Sequence, residues 1–125
     1  RRLGWFDGVA AKYSAMVNGY TSVVLTRLDV LDGVSPVKIC VAYDIDGQRH
    51  YDFPNSVGLL ERSQPIYEEL PGWSKPTFNA RRIQDLPPEA ITYVRRLESL
   101  IGRPIELIST GPRRDESIMI KQIIP

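Results

Sequence analysis

The stretch Thr26-Arg27-Leu28-Asp29-Val30-Leu31-Asp32-Gly33 follows the apolar, β-branched run Ser22-Val23-Val24-Leu25. Such a run predicts a buried strand, from Ser22 to Leu28, and the octet then becomes a polar strand-end loop carrying two acids and a glycine. Strand ends of this kind are where α/β proteins place ligands. Two readings of the loop are open: its acids cap a turn, or one of them faces a ligand.

Upstream, Phe6, Val9, Ala10, Tyr13, Met16 and Val17 fall at helical spacing between Gly4 and Asn18, with Asp7 near the amino end and Gly19 after the last turn. This predicts an amphipathic helix with Trp5 and Phe6 packed at its start. Downstream, Val37 to Ile45 is a near-continuous apolar run and predicts a central strand. Asp46-Gly47 predicts a two-residue hairpin turn, with Gln48 to Phe53 returning beside it. His50, the only histidine, lies on that return and is expected at the surface.

Pro54 to Ser63 reads as a loop with one helical turn near Leu59, and Pro65 to Leu70 as a short strand ended by Pro71-Gly72-Trp73. The stretch to Arg82 reads as an irregular connection. Asp85-Leu86-Pro87-Pro88-Glu89 is a helix start, with Ile91, Val94, Leu97, Leu100 and Ile101 as the buried stripe and Arg95, Arg96 and Glu98 facing water. Gly102 and Pro104 end it. Pro104 to Ile108 predicts a strand opening into Ser109-Thr110-Gly111-Pro112-Arg113-Arg114-Asp115, and Ser117 to Ile124 a returning strand. The order predicts a mixed α/β fold of strand hairpins and two main helices, one domain over residues 1–125. The loops at Thr26 and Ser109 both follow apolar strands, so both can emerge on one edge of one sheet.

Composition narrows the function. The chain has 125 residues, 42% hydrophobic and 25% charged, in the range of a globular protein with a core. No apolar run approaches the ~20 residues of a membrane span, which predicts no membrane role and a cytoplasmic location. The 16 basic and 15 acidic residues leave a net charge of +1, which argues against broad nucleic-acid binding. Four Arg-Arg pairs, at 1–2, 81–82, 95–96 and 113–114, keep one alternative open: a non-catalytic module for an acidic partner or RNA. Cys40, the lone cysteine, reads as a buried small hydrophobe. The chain opens at Arg1 without a methionine, which predicts a piece of a longer protein.

A purine needs an acid for its donor edge, backbone N–H groups for its carbonyl, and a flat or aliphatic group over its face. Asp29 can accept two bonds from a planar donor pair such as the N1–H and 2-amino groups of guanine. Ser109-Thr110-Gly111 can offer main-chain amides, and Arg27 can lie on the ring. No glycine-rich phosphate loop, paired-carboxylate set, Cys/His metal constellation or Ser/His/Asp set accompanies them, so no catalytic or metal-binding residue is expected in this chain.

Thr26 to Gly33, Lys38-Ile39-Cys40-Val41-Ala42-Tyr43, Leu70-Pro71-Gly72-Trp73, Ile108-Ser109-Thr110-Gly111-Pro112 and the opening Arg1-Arg2-Leu3-Gly4-Trp5-Phe6-Asp7 together resemble the carboxy-terminal part of adenylosuccinate synthetase, in order and spacing. The resemblance covers essentially the whole chain. It implies part of the larger mixed sheet of a P-loop-related, GTP-dependent ligase of AMP biosynthesis. That enzyme joins IMP and L-aspartate into adenylosuccinate, with magnesium, as a cytoplasmic homodimer. It also implies GTP contacts at Arg1, Arg27, Leu28, Asp29, Ser109, Thr110 and Gly111. Position 27 departs from the family pattern, which usually carries lysine there. The family's phosphate loop and catalytic residues belong to the amino-terminal part, so the isolated chain is expected to be inactive.

Overall fold

The computed structural model describes residues 4–120. The run Val37–Ile45 (β3) is the central strand of one sheet, alternating between fully and half-buried positions. Ser63–Leu70 (β5) pairs antiparallel along its whole length, from Val37↔Leu70 to Ile45↔Ser63. The other edge of β3 is shared. Phe6–Asp7 (β1) lies parallel at Ile39 and Cys40, and Gln48–His50 (β4) closes the hairpin at Tyr43 to Ile45. Asp46 and Gly47 have φ of 54° and 85°, the two positive angles this tight turn requires. His50 is exposed, as expected.

The helix expected from Gly4 starts later. Phe6–Asp7 is committed to β3, and Asp7 becomes the cap of Gly8–Val17 (α1), accepting from the Ala10 amide at 3.0 Å. Its buried face also differs from the expected stripe. Val9 is buried as expected, but Gly8, Ala11 and Ala15 also face the protein, while Tyr13, Met16 and Val17 are exposed. The cause is proximity: a Cβ on Gly8 would stand 3.0 Å from the Cys40 carbonyl and 3.2 Å from Leu100, so only small residues fit this face. Tyr13 instead stacks on Phe53, ring centres 4.7 Å apart. The Asp7 carboxylate also accepts the Tyr43 hydroxyl, and burial, then this bond, raises the Tyr43 pKa. Burial pushes Cys40 up to about 11, so it is a packed thiol.

Val23–Leu25 (β2), shorter than expected, runs parallel to Ile105–Ser109 (β6), which pairs antiparallel with Ser117–Met119 (β7) in a second sheet. The terminal part of the expected last strand, 121–124, and Arg1 lie outside the described residues. Between the sheets sits Pro88–Ile101 (α3), with Ala90, Tyr93, Val94, Leu97 and Ile101 buried against Val37, Ile39, Ile105, Ile108 and Ile118. Ile91 and Leu100, expected in the stripe, stand at its rim. Val57–Glu61 forms a short helix, α2, capped by Ser56. Among the described residues no helix is long and apolar enough to cross a membrane.

Two charged residues of α3 do not simply face water. Arg96 donates two hydrogen bonds in fork geometry to the Glu68 carboxylate on β5, both 2.8 Å, and Glu98 accepts the Ile105 amide at 2.7 Å, fixing the turn into β6. Asp85, the first residue of the expected helix start, instead accepts the Arg81 and Arg82 amides and closes the 3₁₀ turn Ile83–Asp85. The helix cap position is Pro87.

The stretch after β2 is fastened by Asp32. Its carboxylate accepts the Trp73 indole N–H, the Thr77 hydroxyl and the Thr77 amide, each at 2.8 Å. Gly33 N–H donates to the Trp73 carbonyl at 2.9 Å, and Gly72 passes so close that a Cβ would lie 1.9 Å from the Val34 carbonyl.

Asp32→Asn in the full-length protein turns an NH₂ toward donors and should cost about 2–3 kcal/mol, read as a lowered urea midpoint, whereas Asp29→Asn should cost under about 1 kcal/mol. A second expectation concerns pH. The Arg96 fork holds the Glu68 pKa below its ordinary value, so its stabilisation is present at neutral pH and fades as pH falls through that lowered pKa. Glu68→Gln should therefore lose about 0.5–1 kcal/mol at pH 7, and its gap from the parent should close on acidification below about pH 4. A gap that persisted at pH 3 would mean packing, not charge, accounts for the loss.

Candidate functional site

Because β2 and β6 are adjacent and parallel, with Leu25 opposite Ile108, their carboxyl ends open on the same edge of one sheet. The two polar loops thus meet, and the Arg27 amide donates to the Ser109 hydroxyl at 3.1 Å across 82 positions of sequence. Ser109 Oγ also donates to the Gly111 carbonyl at 3.2 Å. This hydroxyl is the joint between the loops.

The octet is more ordered than an open loop. Leu28–Leu31 form a 3₁₀ turn, entered through Arg27 in the left-handed region with φ 55° and ψ 55°. Leu28 and Leu31 drop into the core, and with Leu28 only 1% exposed any ligand contact there falls to its backbone. Asp29 stays at the surface of the turn. Both of its oxygens are engaged by Arg27, Nε to Oδ1 at 2.9 Å and Nη2 to Oδ2 at 3.0 Å. That bond raises the Arg27 pKa above its ordinary value.

In the second loop Thr110 is fully buried. Its amide donates to the Glu116 carbonyl at 2.7 Å and its hydroxyl to the Phe78 carbonyl at 3.4 Å, so Thr110 holds the loop rather than presenting its amide to a ligand. Gly111 passes close under the Glu116 carboxylate: a Cβ there would fall 2.6 Å from its carboxyl carbon and push that side chain aside. Glu116, absent from the sequence expectation, closes the loop by accepting the Arg113 amide at 2.9 Å. Its signal was an acid three positions after Arg113, a spacing that returns a side chain to the backbone. Phe78 gave no signal, and Asp32 reads in the sequence only as an acid that shapes the turn, since the partners of both lie more than 30 positions away.

A cleft of about 560 Å³ is lined by Arg27, Leu28 and other residues of the octet, facing Trp5, Phe6 and Tyr93. Asp29 and Ser109 to Gly111 are outside its lining. Among the described residues no group of three His, Cys, Asp or Glu side chains is arranged to hold a metal ion.

A sequence model described as adenylosuccinate synthetase matches residues 1–118. The adenylosuccinate synthetase of Geotalea daltonii is 49% identical over 121 residues, covering 97% of this chain and 28% of that protein. That of Geobacter sulfurreducens is 48% identical over 96% of this chain and 28% of its own length. Among solved structures, the fully ligated adenylosuccinate synthetase from Plasmodium falciparum superposes with a TM-score of 0.87 at 29% identity, over 94% of this chain and 29% of that one. The chain thus spans under a third of the length of the relatives it matches. With a family match running through both loops and a mixed α/β fold shared with a solved member, the chain belongs to the adenylosuccinate synthetase family.

Proposed function

We propose that this segment supplies the guanine-recognition loops of a GTP-dependent ligase that joins IMP and L-aspartate in AMP biosynthesis. The observation that carries the reading is the Asp29 carboxylate, which grips a planar fork of two N–H groups with both oxygens. Guanine offers the same pattern through N1–H and its 2-amino group, and adenine does not. Asp29 is the acceptor for that edge. Ser109 sets the distance between the loops, Arg27 supplies the stem over the base, and Leu28, Thr110 and Gly111 shape the floor through buried side chains and close backbone passage.

On the family resemblance, phosphate transfer and magnesium binding are assigned to the amino-terminal part of the enzyme. IMP and aspartate contacts are assigned there too, as are the homodimer and its cytoplasmic setting. Arg1, outside the described residues, joins the GTP contacts on the strength of the family resemblance. The alternative of an acidic-partner or RNA module is less well supported, because Arg82, Arg96 and Arg113 are paired with Asp85, Glu68 and Asp115.

Asp29→Asn in the full-length enzyme should weaken GTP binding by roughly 10- to 150-fold, the equivalent of about 1.5–3 kcal/mol for a charged hydrogen-bonding partner. Unchanged GTP affinity in a folded variant would sink the base assignment. The isolated segment, mixed with IMP, aspartate, GTP and magnesium, should form no adenylosuccinate by absorbance or chromatography; turnover would show that the chemistry is housed here.

A further inference from the structure

We propose that Arg27 is an internal competitor for the nucleotide, its guanidinium occupying on Asp29 the place that a guanine base would take. The inference rests on the guanine reading of Asp29. The argument is one of shape. A guanidinium and the N1–C2–N2 edge of guanine are both planar, and each presents two parallel N–H groups flanking one carbon. A carboxylate receives one such fork across its two oxygens at a time. Here that place is filled, with contacts of 2.9 and 3.0 Å, so base and side chain exclude each other.

The competitor is rooted in the site. The Arg27 backbone is pinned in the left-handed region and its amide is bound to Ser109 Oγ, so the side chain starts from the joint between the two recognition loops. The pair stays exchangeable: the Arg27 side chain is 45% exposed and that of Asp29 18%, and exposed ion pairs hold weakly in water. A base must open the pair before it binds, and its apparent affinity falls by the fraction of molecules that are open.

The test uses Arg27→Lys in the full-length protein, with GDP titrated by calorimetry. Lysine keeps the aliphatic stem and the charge but lacks the planar fork. GDP should bind about 2- to 5-fold more tightly to the variant, and the advantage should shrink as salt is raised, since the competing pair is screened. Affinity that is unchanged or weaker, in a variant whose unfolding midpoint matches the parent, overturns the proposal. Asp29→Asn separates the two levels. If it leaves GDP affinity intact, the base assignment fails and the competitor with it. If it weakens GDP while Arg27→Lys brings no gain, only the competitor fails. In the Asp29→Asn background Arg27→Lys should make no difference, and a gain there would also count against it.

Discussion

The carboxylate of Asp32 is the point on which the site's geometry depends. Three N–H and O–H donors converge on it from Trp73 and Thr77, replacing the water that a charged group in this partly buried position gives up. The contact joins the strand-end octet to a segment more than 40 positions away. It also seats Trp73, whose indole packs at 5.8 Å from Tyr93 on α3. A buried charge with its bonds satisfied in this way does more than add stability. It fixes where the 3₁₀ turn ends, and so which way Asp29 faces.

The second constraint is the parallel pairing of β2 with β6. Parallel strands require a long crossover, and here the crossover contains β3, β4 and β5 of the first sheet and α3. The loops at Arg27 and Ser109 meet only when that whole intervening chain has folded. Glu98 gives this a local expression: by accepting the Ile105 amide it couples the last turn of α3 to the first residue of β6. Packing of the helix therefore sets the height at which the Ser109 loop emerges.

These features explain what was legible in the sequence. Val37–Ile45 could be read because a strand covered on both faces is apolar almost throughout, and Asp46-Gly47 because few residue pairs adopt two positive φ angles. Both site loops were visible as polar glycine-containing runs after apolar strands. The two-residue strand Phe6–Asp7 was not, since so short a strand has no periodicity and exists only through its pairing with β3. Arg96 was assigned to solvent because its partner Glu68 lies on another element. The face of α1 is set in part by size: Gly8 is hemmed in by the Cys40 carbonyl and Leu100, Val9 and Ala15 are buried, and Met16 stays exposed.

The magnitudes also separate stability from function at Arg27. A non-glycine residue in the left-handed region costs on the order of 1–3 kcal/mol. Its ion pair with Asp29, nearly half exposed on the arginine side, is screened by water and holds too weakly to offset that cost. The pair alone cannot hold this conformation. What holds it is the geometry on either side, the Ser109 hydroxyl accepting the Arg27 amide and Leu28 buried one residue later. The backbone at position 27 is thus imposed by the junction of the two loops, and the side chain is left able to exchange partners without loosening the turn that carries it.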